Sequence, residues 1–333
     1  MLLEKTSFSL QLTRRPRRNR RSSAIRSLVQ ESHLLPSDLV MPYFIMEGEN
    51  KKVEISSMPG IFRMSLDHVM HDIEKIHARG IQAVILFPVV PKEKKDEMGS
   101  YGLEEEAIIP QALEKLKEAF PSLCLIADLA LDPFSCFGHD GIVGEDGTIL
   151  NDETAQQLCK IALLYAQKGA DYIAPSDMMD GRVGALRKAL DHHLYTDTGI
   201  ISYCAKYASS LYAPFREALD SAPRFGDKLT YQLHPANVRE ALIEAVLDEE
   251  EGADILMVKP ALFYLDVVAK LKESCSLPIC AYHVSGEYSM VMAAHKLGYL
   301  DAKKVFHEAL LSIKRAGADF IFTYAIKEVL DLL

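Results

Sequence analysis

Short, uninterrupted apolar runs recur along the chain, separated by longer stretches in which apolar residues return every three or four positions. The runs are LVMPYFI from Leu39, AVILFPVV from Ala83, LCLIADLAL from Leu123, DYIAP from Asp171, IISYCA from Ile200, DILMVK from Asp254, PICAYHV from Pro278 and DFIFTY from Asp319. Continuous apolar character over so few residues marks a strand buried on both faces, as in a parallel sheet covered by helices. The stretches SLDHVMHDIEKIHARG, EEEAIIPQALEKLKEAF, NDETAQQLCKIALLYAQKG, VREALIEAVLDEEEG, EYSMVMAAHKLG and DAKKVFHEALLSIKRAG read as amphipathic helices, with Ser65 and either Asn151 or Asp152 suited to N-caps.

One junction repeats. QKGADYIAP, EEGADILMVKP and RAGADFIFTY each pass from a charged helix end through Gly-Ala-Asp into an apolar run, and ARGIQAVILFP is a looser copy. Glycine closes a helix in the left-handed conformation and the strand follows, so the repeat predicts successive βα units. Eight such strands in 333 residues, with no glycine-rich dinucleotide turn after the first, predict an α/β fold of the (β/α)8 barrel kind over residues 36–333. The run LTYQL from Leu229 is taken as part of a long aromatic and charged loop from Lys206 to Val238, of the kind that serves as a lid. Residues 1–35 have little apolar content and are expected to form an extended arm.

Composition narrows the function. A formal charge of −10 opposes general nucleic-acid binding, which needs a basic face. The exception is TRRPRRNRR, with six arginines between Arg14 and Arg21. No apolar stretch has the length of a membrane span or a secretory signal, so a soluble, cytoplasmic protein is expected. Six scattered cysteines without a C-x-x-C pair are expected to be buried, reduced thiols.

In a barrel of this kind the chemistry lies where strands end and βα loops begin. Polar residues at those positions are Asp128 and Asp132; Ser176, Asp177 and Asp180; Lys206; Lys259; Tyr282, His283 and Ser285; and Tyr324. Lys206 and Lys259 end consecutive strands and could share one cavity. Two ammonium groups in a partly dry site disfavour each other's charge, so at least one amine becomes neutral and able to attack a carbonyl. A lone lysine there would more often be a snorkelling side chain; a pair on neighbouring staves favours Schiff-base chemistry. Two other readings stay open: an aldolase-like enzyme with a single essential lysine, and a non-catalytic barrel that binds RNA or protein through its arginine arm.

The segments APSDMMDGR from Ala174, SYCAKYASSLYAPFREA from Ser202, MVKPALFYLD from Met257 and YHVSGEY from Tyr282 resemble the 5-aminolevulinate dehydratase (porphobilinogen synthase) family from about Arg15 to the C-terminus. The resemblance implies a (β/α)8 lyase that condenses two 5-aminolevulinate molecules to porphobilinogen plus two waters, in tetrapyrrole and haem biosynthesis. It implies a Schiff base on each of Lys206 and Lys259, one substrate carboxylate at Arg216 and Lys228, and the other at Ser285 and Tyr324. Arginine is usual in the family where Lys228 stands, so a point charge replaces a bidentate fork.

The loop DLALDPFSCFGHDG from Asp128 departs from zinc-dependent members, whose three cysteines correspond to Ala130, Asp132 and Asp140. Thiolates suit zinc and carboxylates suit harder cations, so no catalytic zinc is expected. Asp128, Asp132 and Asp140 either hold an active-site Mg2+ or act without metal, and His139 reads as a loop histidine. Glu244 matches a residue that in many relatives holds an effector Mg2+. The resemblance further implies a homo-octamer in which the arginine arm contacts another subunit, with no nucleic acid or membrane as partner.

Overall fold

In the computed structural model, which describes residues 12–333, each of the eight apolar runs forms a strand. They are β1 (Leu39–Met46), β2 (Ala83–Val89), β3 (Cys124–Leu129), β4 (Tyr172–Pro175), β5 (Gly199–Lys206), β6 (Ile255–Lys259), β7 (Ile279–His283) and β8 (Phe320–Thr323). Neighbours pair in parallel in chain order, and β8 returns to β1 through Leu39↔Ile321 and Val40↔Phe322, which closes the barrel. Closure leaves no edge strand within the barrel wall. Among the described residues the α-helices of seven residues or more are α1 (Leu66–His77), α2 (Ile108–Ala119), α3 (Asn151–Gln167), α4 (Arg182–His192), α5 (Ala213–Leu219), α6 (Arg239–Glu250), α7 (Leu265–Ser274), α8 (Ser285–Lys296) and α9 (Ala302–Ala316).

The Gly-Ala-Asp repeat has a physical cause at the bottom of the barrel. Gly169, Gly252 and Gly317 take positive φ of 94°, 101° and 119°, which turns the chain from helix into strand. The aspartate then reaches sideways: Asp171, Asp254 and Asp319 accept the backbone N–H of Leu125, Ile200 and Ile279, at 2.7, 2.7 and 2.8 Å. Each repeat thus satisfies a donor at the first or second residue of the preceding strand that would otherwise be lost in the wall.

Several local expectations shift. Ser65 is the N-cap of α1, but Asn151 is the first helical residue of α3, preceded by Leu150 at the cap. Asn151 instead accepts from Asp180 N–H at 2.8 Å, because the short antiparallel pairing Val143↔Ile149 runs straight into the helix. α2 begins at Ile108 and not at the glutamates before it, since Pro110 has no N–H and belongs in a first turn. A hairpin of Lys52–Glu54 and Phe62–Met64 adds two strands that the apolar pattern does not mark, its outer strand being exposed. Of the six cysteines only Cys204 and Cys280 are buried, and Cys136 is exposed.

LTYQL stays irregular except for a single bridge, Tyr207↔Leu233. The long segment after Lys206 is not loop throughout, since it contains α5. The chain divides between His33 and Leu34. The described part of the N-terminal unit is not simply extended: it holds a 3-10 helix at Pro16–Arg20 and a short helix at Ser23–Leu28, whose cap Ser22 accepts from Ile25 N–H. The first eleven residues of the expected arm lie outside the described residues.

Candidate active site

Lys206 and Lys259 are register partners at the ends of β5 and β6. Strict alternation would not have put both on one face. Tyr203 points inward, where its hydroxyl donates to Asp128 at 3.0 Å, while Ser202 points outward to Asp248 on α6. Three residues beyond Tyr203, Lys206 would face outward. The register shifts by one residue between Leu256 and Val258, so that β5 carries one extra residue, and this bulge turns Lys206 back into the barrel beside Lys259.

The two amines sit in different surroundings. Lys206 Nζ donates to the Ser176 carbonyl and to Asp140 Oδ2, the latter at 3.1 Å. Lys259 Nζ faces aromatic rings, 4.4 Å from the Tyr282 centroid, 5.0 Å from Tyr203, 5.0 Å from Phe215 and 5.4 Å from Tyr212. Ring faces favour a cation, but burial and the neighbouring Lys206 charge outweigh them and push the Lys259 pKa down to about 7.

Asp140 is the electrostatic centre of the site. It accepts from Lys228 at 2.6 Å, from Lys206, and from Gln232 at 3.2 Å. Burial alone would raise its pKa, yet the two ammonium groups hold it well below the usual carboxylate range. Asp128, which accepts from Ser176 Oγ and Tyr203, is pushed up to about 7 by burial, against the pull of Lys259 and Lys206. Asp132 is raised as well, by burial, with Lys228 opposing.

A metal does not fit this loop as it is arranged. Ammonium groups occupy both oxygens of Asp140, and hydroxyls occupy both oxygens of Asp128. Among the described residues no group of three or more His, Cys, Asp or Glu is placed to hold a metal ion.

The lid is α5 with the turn before it. Arg216, Phe215, Tyr212 and Lys228 come over the lysine pair and leave a cavity of about 20 Å³, room for roughly one water. Ser285 Oγ accepts from Phe215 N–H at 3.1 Å and donates to the Leu211 carbonyl at 3.2 Å, so it ties the lid to the start of α8. Gly286 lies so close that a Cβ there would stand 2.5 Å from the Leu211 oxygen.

The family model for delta-aminolevulinic acid dehydratase matches residues 13–332. The chain belongs to this family. A delta-aminolevulinic acid dehydratase of Chlamydia pneumoniae is 53% identical over 325 residues, covering 98% of each chain. A chloroplastic delta-aminolevulinic acid dehydratase of rice is 52% identical over 97% of this chain and 76% of its own. A crystal structure of the Toxoplasma gondii ME49 enzyme, delta-aminolevulinic acid dehydratase in complex with the reaction product porphobilinogen, superposes with a TM-score of 0.95 at 50% identity, covering 98% of this chain and 93% of that one.

Within this dehydratase family member, the structure gathers some expected residues and separates others. Lys206, Lys259, Arg216 and Lys228 line one cavity, together with Asp132 and Asp140. Tyr324 is one ring removed: its hydroxyl lies 3.2 Å from that of Tyr282, and its ring stacks on Phe44. Ser285 is engaged with the lid backbone. Glu244 is elsewhere, in a cleft of 580 Å³ that it lines with Asp180 and Glu240.

Three strand-end residues leave the site. Asp177 turns to Arg182, 3.8 Å away, Asp180 lines the Glu244 cleft, and His283 bonds Thr323 in the core, where burial lowers its pKa to about 4. His139 is a buried loop histidine, as expected, held by Tyr231 at 3.0 Å and the Phe225 carbonyl at 3.1 Å. Tyr203, Phe215 and Gln232 were not signalled, because their roles depend on the bulge and on the lid path.

Proposed function

We propose that two 5-aminolevulinate molecules are bound here as Schiff bases on Lys259 and Lys206 and joined to porphobilinogen with release of two waters. The observation that carries this is the adjacent amine pair, Lys206 bonded to Asp140 and Lys259 pushed toward neutrality by burial. The chain is a lyase, and porphobilinogen synthesis is the activity of its family. A one-lysine aldolase would leave the Lys206–Asp140–Lys228 assembly without a purpose.

Lys259 is the first nucleophile. Its neutral amine adds to the substrate ketone, and the carbinolamine loses hydroxide as water when a neighbouring acid donates a proton. Asp128, with a pKa raised to about 7, is suited to hand over that proton and take it back. Lys206 attacks second, since its amine must first leave its contact with Asp140. Arg216 and Lys228 receive the carboxylate of the substrate on Lys206; Ser285 and Tyr324 receive the other. With so little space beneath α5, the lid opens for each substrate to enter.

Borohydride added with 5-aminolevulinate should fix substrate carbon to the peptide bearing Lys259, and an unmodified peptide by mass spectrometry would overturn the mechanism. The attacking form is unprotonated, so adduct formation and kcat/KM should climb as pH rises through about 7 and then level off. A profile falling over that range would contradict the assignment.

We further place an effector Mg2+ at Glu244. Burial, with the charges of Asp248, Asp180 and Glu240 beside it, raises its pKa to about 7 despite Arg182, so a cation in the cleft would relieve crowded negative charge. Mg2+ keeps several waters and needs only one or two carboxylates, which suits an open cleft. Glu244→Gln should abolish stimulation by Mg2+ while leaving turnover without Mg2+ intact, and a zinc-selective chelator should not inhibit. Inhibition restored by zinc would overturn the reading of the aspartate loop. Among the described residues no helix is long and apolar enough to cross a membrane. A cytoplasmic homo-octamer, with residues 1–35 as subunit-contacting arms, completes the proposal, supported by a cationic arm on an acidic chain.

A further inference from the structure

The lid helix is held at its far end by two cations that belong to neither substrate site. Arg63 lies in the strand Phe62–Met64, whose Cα pairs with Phe44 of β1, so its side chain starts from the barrel wall. Its Nε donates to the Ala218 carbonyl and its Nη2 to the Glu217 carbonyl, both at 2.6 Å. Lys95, in the loop after β2, donates to the next two carbonyls, Leu219 at 3.2 Å and Asp220 at 2.9 Å. Four successive carbonyls, 217 to 220, are therefore taken by side chains of one strand and one loop that are far apart in the chain. Ser56 in the same hairpin adds a bond to the Glu217 carboxylate at 2.6 Å.

These are the carbonyls of the last turn of α5 and of its C-cap Asp220, where helix carbonyls run out of intrahelical donors and form the negative end of the dipole; the backbone itself supplies Glu217 only a long bond, from Asp220 N–H at 3.3 Å. A seven-residue helix has too few internal bonds to be stable alone. Its position over the lysines is therefore set from its two ends: Ser285 at the start, and Arg63 with Lys95 at the finish. Arg216 lies one residue before the first gripped carbonyl, so the grip also aims the guanidinium proposed to bind a substrate carboxylate.

We propose that Arg63 and Lys95 are positioning residues of the reaction: by gripping carbonyls 217–220 they hold the lid shut and Arg216 over the lysine pair. The role in the reaction rests on the functional reading above; the grip itself does not.

The test uses the full chain, wild type and the variants Arg63→Gln, Arg63→Lys and Lys95→Met, with hydrogen exchange read by mass spectrometry without substrate and kinetics with 5-aminolevulinate. Loss of a charged hydrogen bond shifts an opening equilibrium by about tenfold or more. Arg63→Gln and Lys95→Met should each speed exchange in residues 213–223 by roughly that factor, with exchange in β5 and β6 unchanged. KM should rise by a similar factor, kcat should change less, and the acid limb near pH 7 should stay. Arg63→Lys should fall between, because an ammonium lacks the fork that spans two carbonyls.

Unchanged lid exchange, or exchange that rises equally in the barrel strands, would overturn the proposal. So would an acid limb that moves while KM holds, since that assigns the residues to proton chemistry. A wild-type protein that does not consume 5-aminolevulinate overturns the functional reading instead, and the exchange data then decide the grip by themselves.

Discussion

Lys259→Met protein should make no porphobilinogen and should be more stable than the wild type. The first half follows from covalent catalysis: without the amine no Schiff base forms, and losses on the order of 10⁴ to 10⁶ in turnover are the scale for removing a nucleophile. The second half follows from the pKa. Burial and Lys206 move the Lys259 amine from the usual lysine range to about 7. A lysine pKa lowered this far in the folded state disfavours folding at pH 7 and below, where the unfolded amine is protonated. That penalty fades as pH rises toward the unfolded value near 10. A methionine of similar length in the cage of Tyr203, Tyr212, Phe215 and Tyr282 removes it and keeps the packing. Turnover assays and denaturant unfolding at pH 7 and pH 9 check both halves. A variant that still forms product sinks the mechanism. One that loses stability equally at both pH values shows that the amine is not held neutral.

Asp140→Asn should be the most destabilising single change in the site. It strips the anion from Lys206 and Lys228, both buried, and leaves two ammonium groups facing each other in the same cavity. Breaking a buried pair by removing one partner costs about 3–5 kcal/mol, mainly because the orphaned charge stays desolvated. The carboxyl of Asp140 is depressed in the folded state, so its contribution is present above the unfolded carboxylate pKa of about 4 and is lost as pH falls through its lower folded value. The difference between wild type and variant should therefore hold at neutral pH and narrow in strong acid. Lys228→Met in the Asp140→Asn background should recover part of the loss, because it removes one of the unpaired charges. An Asp140→Asn protein as stable as the wild type at pH 7 would show that the ammonium groups find other partners.

The barrel was legible because its causes are local. A strand covered on both faces must be apolar throughout, so each stave announces itself in a few residues, and the Gly-Ala-Asp junctions mark where helix gives way to strand. The aspartate of that junction could be seen to repeat, but its task, closing the donor on the neighbouring strand, needs both strands in place. Strand ends were equally legible, which is why Lys206, Lys259, Asp128 and Tyr324 were singled out. The same rule also gathered Asp177 and His283, which turn away to Arg182 and Thr323, because side-chain direction at a strand end is set by neighbours and not by position in the run.

The local pattern of the chain determined the staves, their order, the helices between them and the candidate lysines, since burial, helix period and glycine conformation act within a few residues. Tertiary structure alone decided that the two lysines share a face, because a one-residue bulge in β5 against β6 is a property of the pairing. It also decided what surrounds each amine: Lys206 donates to Asp140, 66 residues away in the chain, and Lys259 faces a ring of aromatics from β5, β7 and the lid. Charge and solvation depend on what surrounds a group in space, and only the closed barrel brings those surroundings together.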